Sequence, residues 1–255
     1  MLEQQPVFGG IAVALVTFFD EKGQVDHDAT ARHASSLVER GVRAVVVAGS
    51  TGEAGHLSMK ERLHLFDAVR ASVPAELPVI LGTGDLAAGV SIPDLTRRAA
   101  EHGANAALVL SPRLGDVRSF YAEVVAAAGS MPVFAYHWPK VSPPGIELDD
   151  ILATKVAALK DSTGDTARML ETLAVFKRPF YSGNATVIAY AGQLGVTGAI
   201  LAAANIEPER CIDAFAGDIG AQKDLINAHR IVANYGVKGI KEELARRHST
   251  STVCR

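Results

Sequence analysis

A chain of 255 residues with 48% hydrophobic and 21% charged residues has the material for a sizeable core and is wrong for a disordered segment. Its formal net charge of −3 gives no electrostatic footprint for nucleic acid or an acidic membrane, so neither is expected as a partner. Only two cysteines occur, Cys211 and Cys254, which excludes a disulfide framework and points to a reducing cytoplasm. The N-terminal stretch Met1–Pro6 has neither a basic region nor a long apolar one, so no signal peptide is expected. The apolar runs around Val42–Ala48 and Val196–Ala204 are too short, and too broken by glycine, to span a membrane.

In chain order, short aliphatic runs alternate with longer segments of helical period. The predicted strands are Ile11–Val16, Ala44–Ala48, Pro78–Leu81, Ala106–Leu110, Pro132–Tyr136, Val156–Lys160, Pro179–Ser182 and Thr197–Leu201. Between and after them lie predicted helices at Asp28–Arg40, Ser58–Val73, Val90–His102, Asp116–Ala128, Glu147–Ala153, Thr166–Phe176, Thr186–Leu194 and Glu207–Gly217. Near-continuous apolar strands separated by helix-sized segments are the pattern of a parallel sheet covered on both faces. Eight such units predict an α/β protein of the (β/α)8 TIM-barrel class over residues 1–218. Two further helices, Ile219–Tyr235 and Val237–Arg247, then form a short C-terminal helical extension over 219–255, within the same structural domain. A doubly wound open sheet is the rival, but the first strand runs into Thr17-Phe18-Phe19-Asp20 with no glycine fingerprint.

Local signals agree with this frame. Ser58 followed by Glu61 fits a capping box, and Asp116 and Asp149 suit caps or first-turn acids. Gly41, Gly103 and Gly195 each end a helical stretch before a strand, where a left-handed residue is wanted.

Functional groups of a barrel gather where the strands end and the loops converge. The sixth strand delivers Lys160 to the polar turn Asp161-Ser162-Thr163-Gly164-Asp165. Burial there would lower its pKa and supply a neutral amine able to attack a carbonyl, whereas an outward lysine would pair with Asp161 or Asp165. Tyr136 closes the fifth strand, so its phenol could serve as proton donor or acceptor beside that amine, or pack against Trp138. Gly49-Ser50-Thr51-Gly52-Glu53 after the second strand offers two hydroxyls and exposed backbone for a small carboxylate, or is a self-capping turn. Gly82-Thr83-Gly84-Asp85 reads mainly as a turn. His56 and His137 fall near the rim, but the histidines lack metal-ligand spacing and no C-x-x-C occurs, so no metal is expected. Neither a G-x-S-x-G elbow nor a phosphate-binding P-loop is present.

Together these segments resemble the dihydrodipicolinate synthase and N-acetylneuraminate lyase superfamily of pyruvate-type class I aldolases. The resemblance runs from about Gly10 to about Gly217. It is carried by Gly49-Ser50-Thr51-Gly52-Glu53 with Leu57-Ser58, by Gly82-Thr83-Gly84, by Tyr136 with Pro139, and by Lys160-Asp161-Ser162 with Gly183. It implies a barrel assembled as a homo-oligomer, a dimer or tetramer, acting on a small 2-oxo acid and an aldehyde without a cofactor. It makes Lys160 the Schiff-base lysine, Tyr136 the proton-shuttling tyrosine and Ser50 the hydroxyl of the relay. Thr51 would hold the carboxylate, with Gly49, Gly183 and Ile200 completing the substrate-binding set.

The chain also departs from the family. Ser111-Pro112-Arg113-Leu114-Gly115 lacks the relay tyrosine expected after the fourth strand, a role Tyr121 could fill only if it does not pack. Tyr136-His137-Trp138-Pro139-Lys140-Val141-Ser142 lacks the arginine that binds the second substrate's carboxylate in dihydrodipicolinate synthases, leaving Lys140 or Arg113 to serve. The C-terminus is about one helix shorter than in typical members. The expected activity is therefore a Schiff-base lyase or aldolase acting on a 2-keto-3-deoxy sugar acid or a 4-hydroxy-2-oxo acid. Dihydrodipicolinate synthesis, sugar-acid dehydration and a catalytically idle 2-oxo acid binder are the alternatives.

Overall fold

The computed structural model describes residues 5–84 and 90–255. Eight parallel strands close into a barrel in sequence order: β1 (Gly10–Ala14), β2 (Ala44–Val47), β3 (Val79–Gly82), β4 (Ala106–Leu110), β5 (Val133–His137), β6 (Ala158–Asp161), β7 (Phe180–Ser182) and β8 (Gly198–Leu201), with β8 pairing back onto β1. The outer ring consists of α1 (His27–Glu39), α2 (Met59–Ser72), α3 (Ile92–Glu101), α4 (Val117–Ala128), α5 (Leu148–Ala153), α6 (Thr166–Val175), α7 (Ile188–Gln193) and α8 (Pro208–Phe215). The final helix, α9 (Ile219–His248), is interrupted at Gly236, whose φ of 59° and ψ of −142° are not helical. The predicted boundary between two terminal helices falls at that residue.

Strand positions alternate between two apolar environments, which is why the strands read as continuous hydrophobic runs. Val45, Val47, Leu81 and Leu201 face the helices, while Val46, Ile80, Phe134 and Ile200 fill the barrel interior. Many interior positions are alanines, including Ala12, Ala44, Ala106 and Ala158. Aromatic rings take up the remaining space: Tyr181 stacks between Phe8 and Phe134, with centroids 4.5 and 5.2 Å away. The Tyr181 hydroxyl is satisfied by the Phe8 carbonyl at 2.9 Å.

The local signals take the forms their chemistry predicts. Ser58 and Glu61 make a reciprocal capping box at α2, Asp116 caps α4, and Asp149 lies in the first turn of α5. Gly41, Gly103 and Gly195 have φ of 95°, 80° and 73°. Strand ends differ by a residue or two from the sequence expectation for local reasons. β2, for example, stops at Val47 because Ala48 turns to a φ of 50°. Thr83 hydrogen-bonds Thr96 of α3 at 2.8 Å, a packing role. Asp85, the last residue of that predicted turn, lies outside the described residues.

Candidate active site

Lys160 sits at the end of β6, 4% exposed, with its amine inside the mouth of the barrel. Burial lowers its pKa from 10.5 to about 7. The outward ion pair is not formed. Asp161 is occupied by Arg168 at 3.0 Å and by the Thr163 backbone N–H at 2.8 Å, and Asp165 caps α6. Among the described residues no carboxylate pairs with Lys160. A desolvated amine without a counterion is half neutral near neutrality, the state a nucleophilic lysine needs.

Tyr136 is the register partner of Lys160 on the neighbouring strand. Its ring centroid lies 4.1 Å from the amine, and the ring also stacks on Trp138 at 6.0 Å, so contact with the lysine and aromatic packing coexist. The Ser162 hydroxyl donates to the Tyr136 hydroxyl at 3.3 Å, a contact with no signal in the linear sequence. Gly183, after β7, admits this cluster: a Cβ there would lie 1.9 Å from Ser162 Oγ and 2.9 Å from Lys160 Cε.

Ser50 and Thr51 form a short 3-10 turn, Ser50–Gly52, across the barrel mouth. Thr17 donates to the Gly52 carbonyl at 2.7 Å. Beneath the turn, fully buried Arg62 donates to the carbonyls of Leu57, Gly82 and Gly84 at 3.3, 3.2 and 3.1 Å. These bonds tie the loops after β2 and β3 together. Glu53, with φ of 56°, bonds fully buried Lys241 of α9 at 2.5 Å and the Arg255 backbone N–H at 2.9 Å. Lys241 also lies over the Phe19 ring, 4.5 Å from its centroid.

The strand ends open into a cavity of about 670 Å³. Lys160, Tyr136, Ser50, Thr51, Gly183 and Ile200 all line it. Gly49 does not; its carbonyl closes the turn by accepting from Gly52 and Ala54 at 2.9 and 3.2 Å. The outer wall comes from the loop after β5, including Trp138 and Lys140, and from α9 through His229, Val232 and Val237. Sequence reasoning did not place the helical extension in the site. Its residues carry no chemical signature until the fold lays α9 across the barrel mouth.

The remaining sequence candidates have other roles. Arg113 does not line the cavity and donates to the Val141 carbonyl at 3.0 Å, while Leu114 is 89% exposed. Tyr121 is fully buried, donates to the Val109 carbonyl at 2.9 Å and accepts from the Tyr136 backbone N–H. Burial pushes its pKa up, so it is a structural phenol. His137 is buried, its imidazole held below its ordinary pKa chiefly by desolvation, and Nδ1 accepts from the Ile146 N–H at 2.9 Å. His56 is exposed and outside the cavity. Among the described residues, no group of three or more His, Cys, Asp or Glu is placed to hold a metal ion. Nor, among them, is any helix long and apolar enough to cross a membrane.

A closed barrel of eight parallel strands, with a desolvated lysine against a tyrosine at its mouth, defines a carbon–carbon lyase of the class I aldolase type. The model of the dihydrodipicolinate synthetase family matches residues 7–243, and the chain belongs to that family. It is 31% identical over 236 residues to 4-hydroxy-tetrahydrodipicolinate synthase 2 of Halalkalibacterium halodurans, covering 88% of this chain and 80% of the relative. It is 32% identical over 212 residues to 4-hydroxy-tetrahydrodipicolinate synthase of Bacillus subtilis, covering 78% of this chain and 72% of the relative. Among solved structures, it is similar to the Acinetobacter baumannii dihydrodipicolinate synthase complexed with pyruvate. That match has a TM-score of 0.87 and 26% identity, and covers 98% of this chain and 92% of the other. The Aquifex aeolicus dihydrodipicolinate synthase matches with a TM-score of 0.86 at 26% identity, covering 97% of this chain and 91% of the other. Members of this family form a Schiff base on a lysine and act on small molecules.

Proposed function

We propose that Lys160 forms the Schiff base of a lyase that cleaves or condenses a pyruvate-derived 2-oxo acid and an aldehyde. The observation that carries this is the buried amine, paired with no carboxylate among the described residues, 4.1 Å from the Tyr136 ring centroid. Neutral Nζ adds to the C2 carbonyl. Tyr136 passes a proton to the departing oxygen, which leaves as water, and a C=N bond replaces the C=O bond. The C4 hydroxyl then returns a proton to the Tyr136 phenolate as the C3–C4 bond breaks and its electron pair passes to the iminium. The aldehyde leaves an enamine, whose C3 takes a proton to give the pyruvate iminium. In reverse, the enamine C3 attacks the aldehyde carbon and the new alkoxide takes a proton. Water returns to C2 to free Lys160. Ser50 and Ser162 provide hydroxyls to the relay around Tyr136, and Thr51 with the adjoining turn receives the substrate carboxylate. Gly183 and Ile200 shape the pocket around the imine carbon. No cofactor enters these steps, because the iminium is itself the electron sink.

Borohydride reduction in the presence of pyruvate, followed by peptide mass spectrometry, should place the adduct on Lys160. Absence of an adduct on any lysine would remove the reading and favour an idle binder, if pyruvate still bound saturably. Dihydrodipicolinate synthesis is the second reading, favoured by the names of the relatives; a coupled assay with aspartate semialdehyde decides it. A cytoplasmic homo-oligomer belongs to the same proposal. Unpaired Cys211 and Cys254 support the compartment, and exposed Leu114, Ile219 and Tyr235 support an assembly.

A further inference from the structure

The two halves of the cavity differ in chemistry. The inner half is polar, with the Lys160 amine, the Tyr136 phenol and the hydroxyls of Ser50 and Thr51. The outer half is walled by Trp138 and Val141 from the loop after β5 and by Val232 and Val237 from α9. Among the described residues that line the cavity, none is Asp or Glu. Asn184 is already committed: its Nδ2 donates to the Thr163 carbonyl at 3.3 Å and its Oδ1 accepts from the Thr186 N–H at 3.0 Å. A polyhydroxylated aldehyde brings a donor on nearly every carbon and needs acceptors around it, or each hydroxyl loses water without replacement. This wall offers surface for carbon instead.

Two basic side chains interrupt the apolar wall. Lys140 stands on the β5 loop and His229 on α9, both lining the cavity. Among the described residues no carboxylate pairs with Lys140. Burial first, and the Lys140 charge second, hold the His229 imidazole below its ordinary pKa, so the Lys140 ammonium and an imidazole whose charged form is disfavoured both face the cavity. A single positive charge matches a monoanion.

We infer that the aldehyde half of the substrate is a mainly apolar, aromatic or branched body carrying one carboxylate, seated against Trp138 and Val237 with its anion at Lys140 and His229. This rests on the imine chemistry proposed for Lys160 and names what the enamine meets. Aspartate semialdehyde is a poor match, because its ammonium would sit in the apolar wall beside Lys140.

The test is a set of condensations of pyruvate, catalysed by the full chain, with four aldehydes: 4-carboxybenzaldehyde, benzaldehyde, glyceraldehyde and aspartate semialdehyde. The product is identified by mass spectrometry. The expected kcat/KM for 4-carboxybenzaldehyde exceeds that for benzaldehyde by about tenfold or more, and both exceed glyceraldehyde and aspartate semialdehyde. In Lys140→Met the ratio of 4-carboxybenzaldehyde to benzaldehyde should collapse to about one, and in Lys140→Arg it should persist. Preference for glyceraldehyde or aspartate semialdehyde, or a ratio untouched by Lys140→Met, overturns the inference. Borohydride trapping with pyruvate in the same preparation separates the two levels. An adduct on Lys160 with the wrong aldehyde order overturns only the substrate class, whereas no adduct overturns the Schiff-base reading and this inference with it.

Discussion

Replacing Lys160 by methionine preserves the length of the side chain and removes the ammonium, so it isolates what burying that charge costs the fold. The pKa falls from 10.5 to about 7 because of burial. That gap corresponds to about 5 kcal/mol of penalty on the charged form in the folded protein. Below pH 7 the lysine is charged in both folded and unfolded chains, and the full penalty acts. Between pH 7 and 10.5 the unfolded chain binds more protons than the folded one, so stability rises with pH; above 10.5 both forms are neutral and the penalty is gone. Lys160→Met should therefore stabilise the protein by about 2–5 kcal/mol at pH 6, falling to about 1–2 kcal/mol at pH 9.5. Denaturant unfolding of both proteins at the two pH values measures this. An equal increment at both, or a destabilised variant at pH 6, would refute the claim that the amine is held in a desolvated site.

Three further outcomes follow from the same contacts. Tyr136→Phe should slow turnover by about 10²–10⁴-fold, the range for one general acid–base group, with the fold intact by circular dichroism; unchanged turnover would remove the phenol from the proton relay. Gly183→Ala drives a Cβ to 2.9 Å from Lys160 Cε and 1.9 Å from Ser162 Oγ, so the rate of borohydride-trapped adduct formation should drop sharply, alongside a stability loss of about 1–3 kcal/mol. Adduct formation at the parent rate would show that the lysine does not need this space. Lys241→Met strands Glu53 in a buried position and should cost about 3–5 kcal/mol by chemical denaturation. The double variant with Glu53→Gln should recover part of that loss, and no recovery would mean that Lys241 acts by packing alone.

The barrel was legible because its strands are buried on both sides, which writes each one as an unbroken apolar run; β4 matches its predicted span, Ala106–Leu110, end to end. Tyr136 and Lys160 could be brought together on paper because adjacent parallel strands put equivalent ends at one rim, and the register pairs them directly. Contacts that depend on closure of the whole fold left no such trace. Glu53 and Lys241 are 188 residues apart, and nothing near either predicts the other. His229, Val232 and Val237 lie on a helix whose period shows that it packs, without showing which face looks into the barrel mouth. Tyr121 shows the packing alternative prevailing: a phenol close to the site in sequence is consumed by the Val109 carbonyl in the core.

The break in α9 at Gly236 divides responsibility for the cavity between two kinds of scaffold. Lys160 and Tyr136 are pinned by a hydrogen-bonded ladder, where moving one strand end disturbs both neighbours. The opposite wall is borne on a helix attached through side chains, anchored beyond its break by the Lys241 link to Glu53. Exchanging His229 or Val232 therefore recuts the mouth while the strand ends that carry Lys160 and Tyr136 stay in place. The barrel behaves as a fixed reactor with an interchangeable inlet, and libraries aimed at new electrophiles belong on α9.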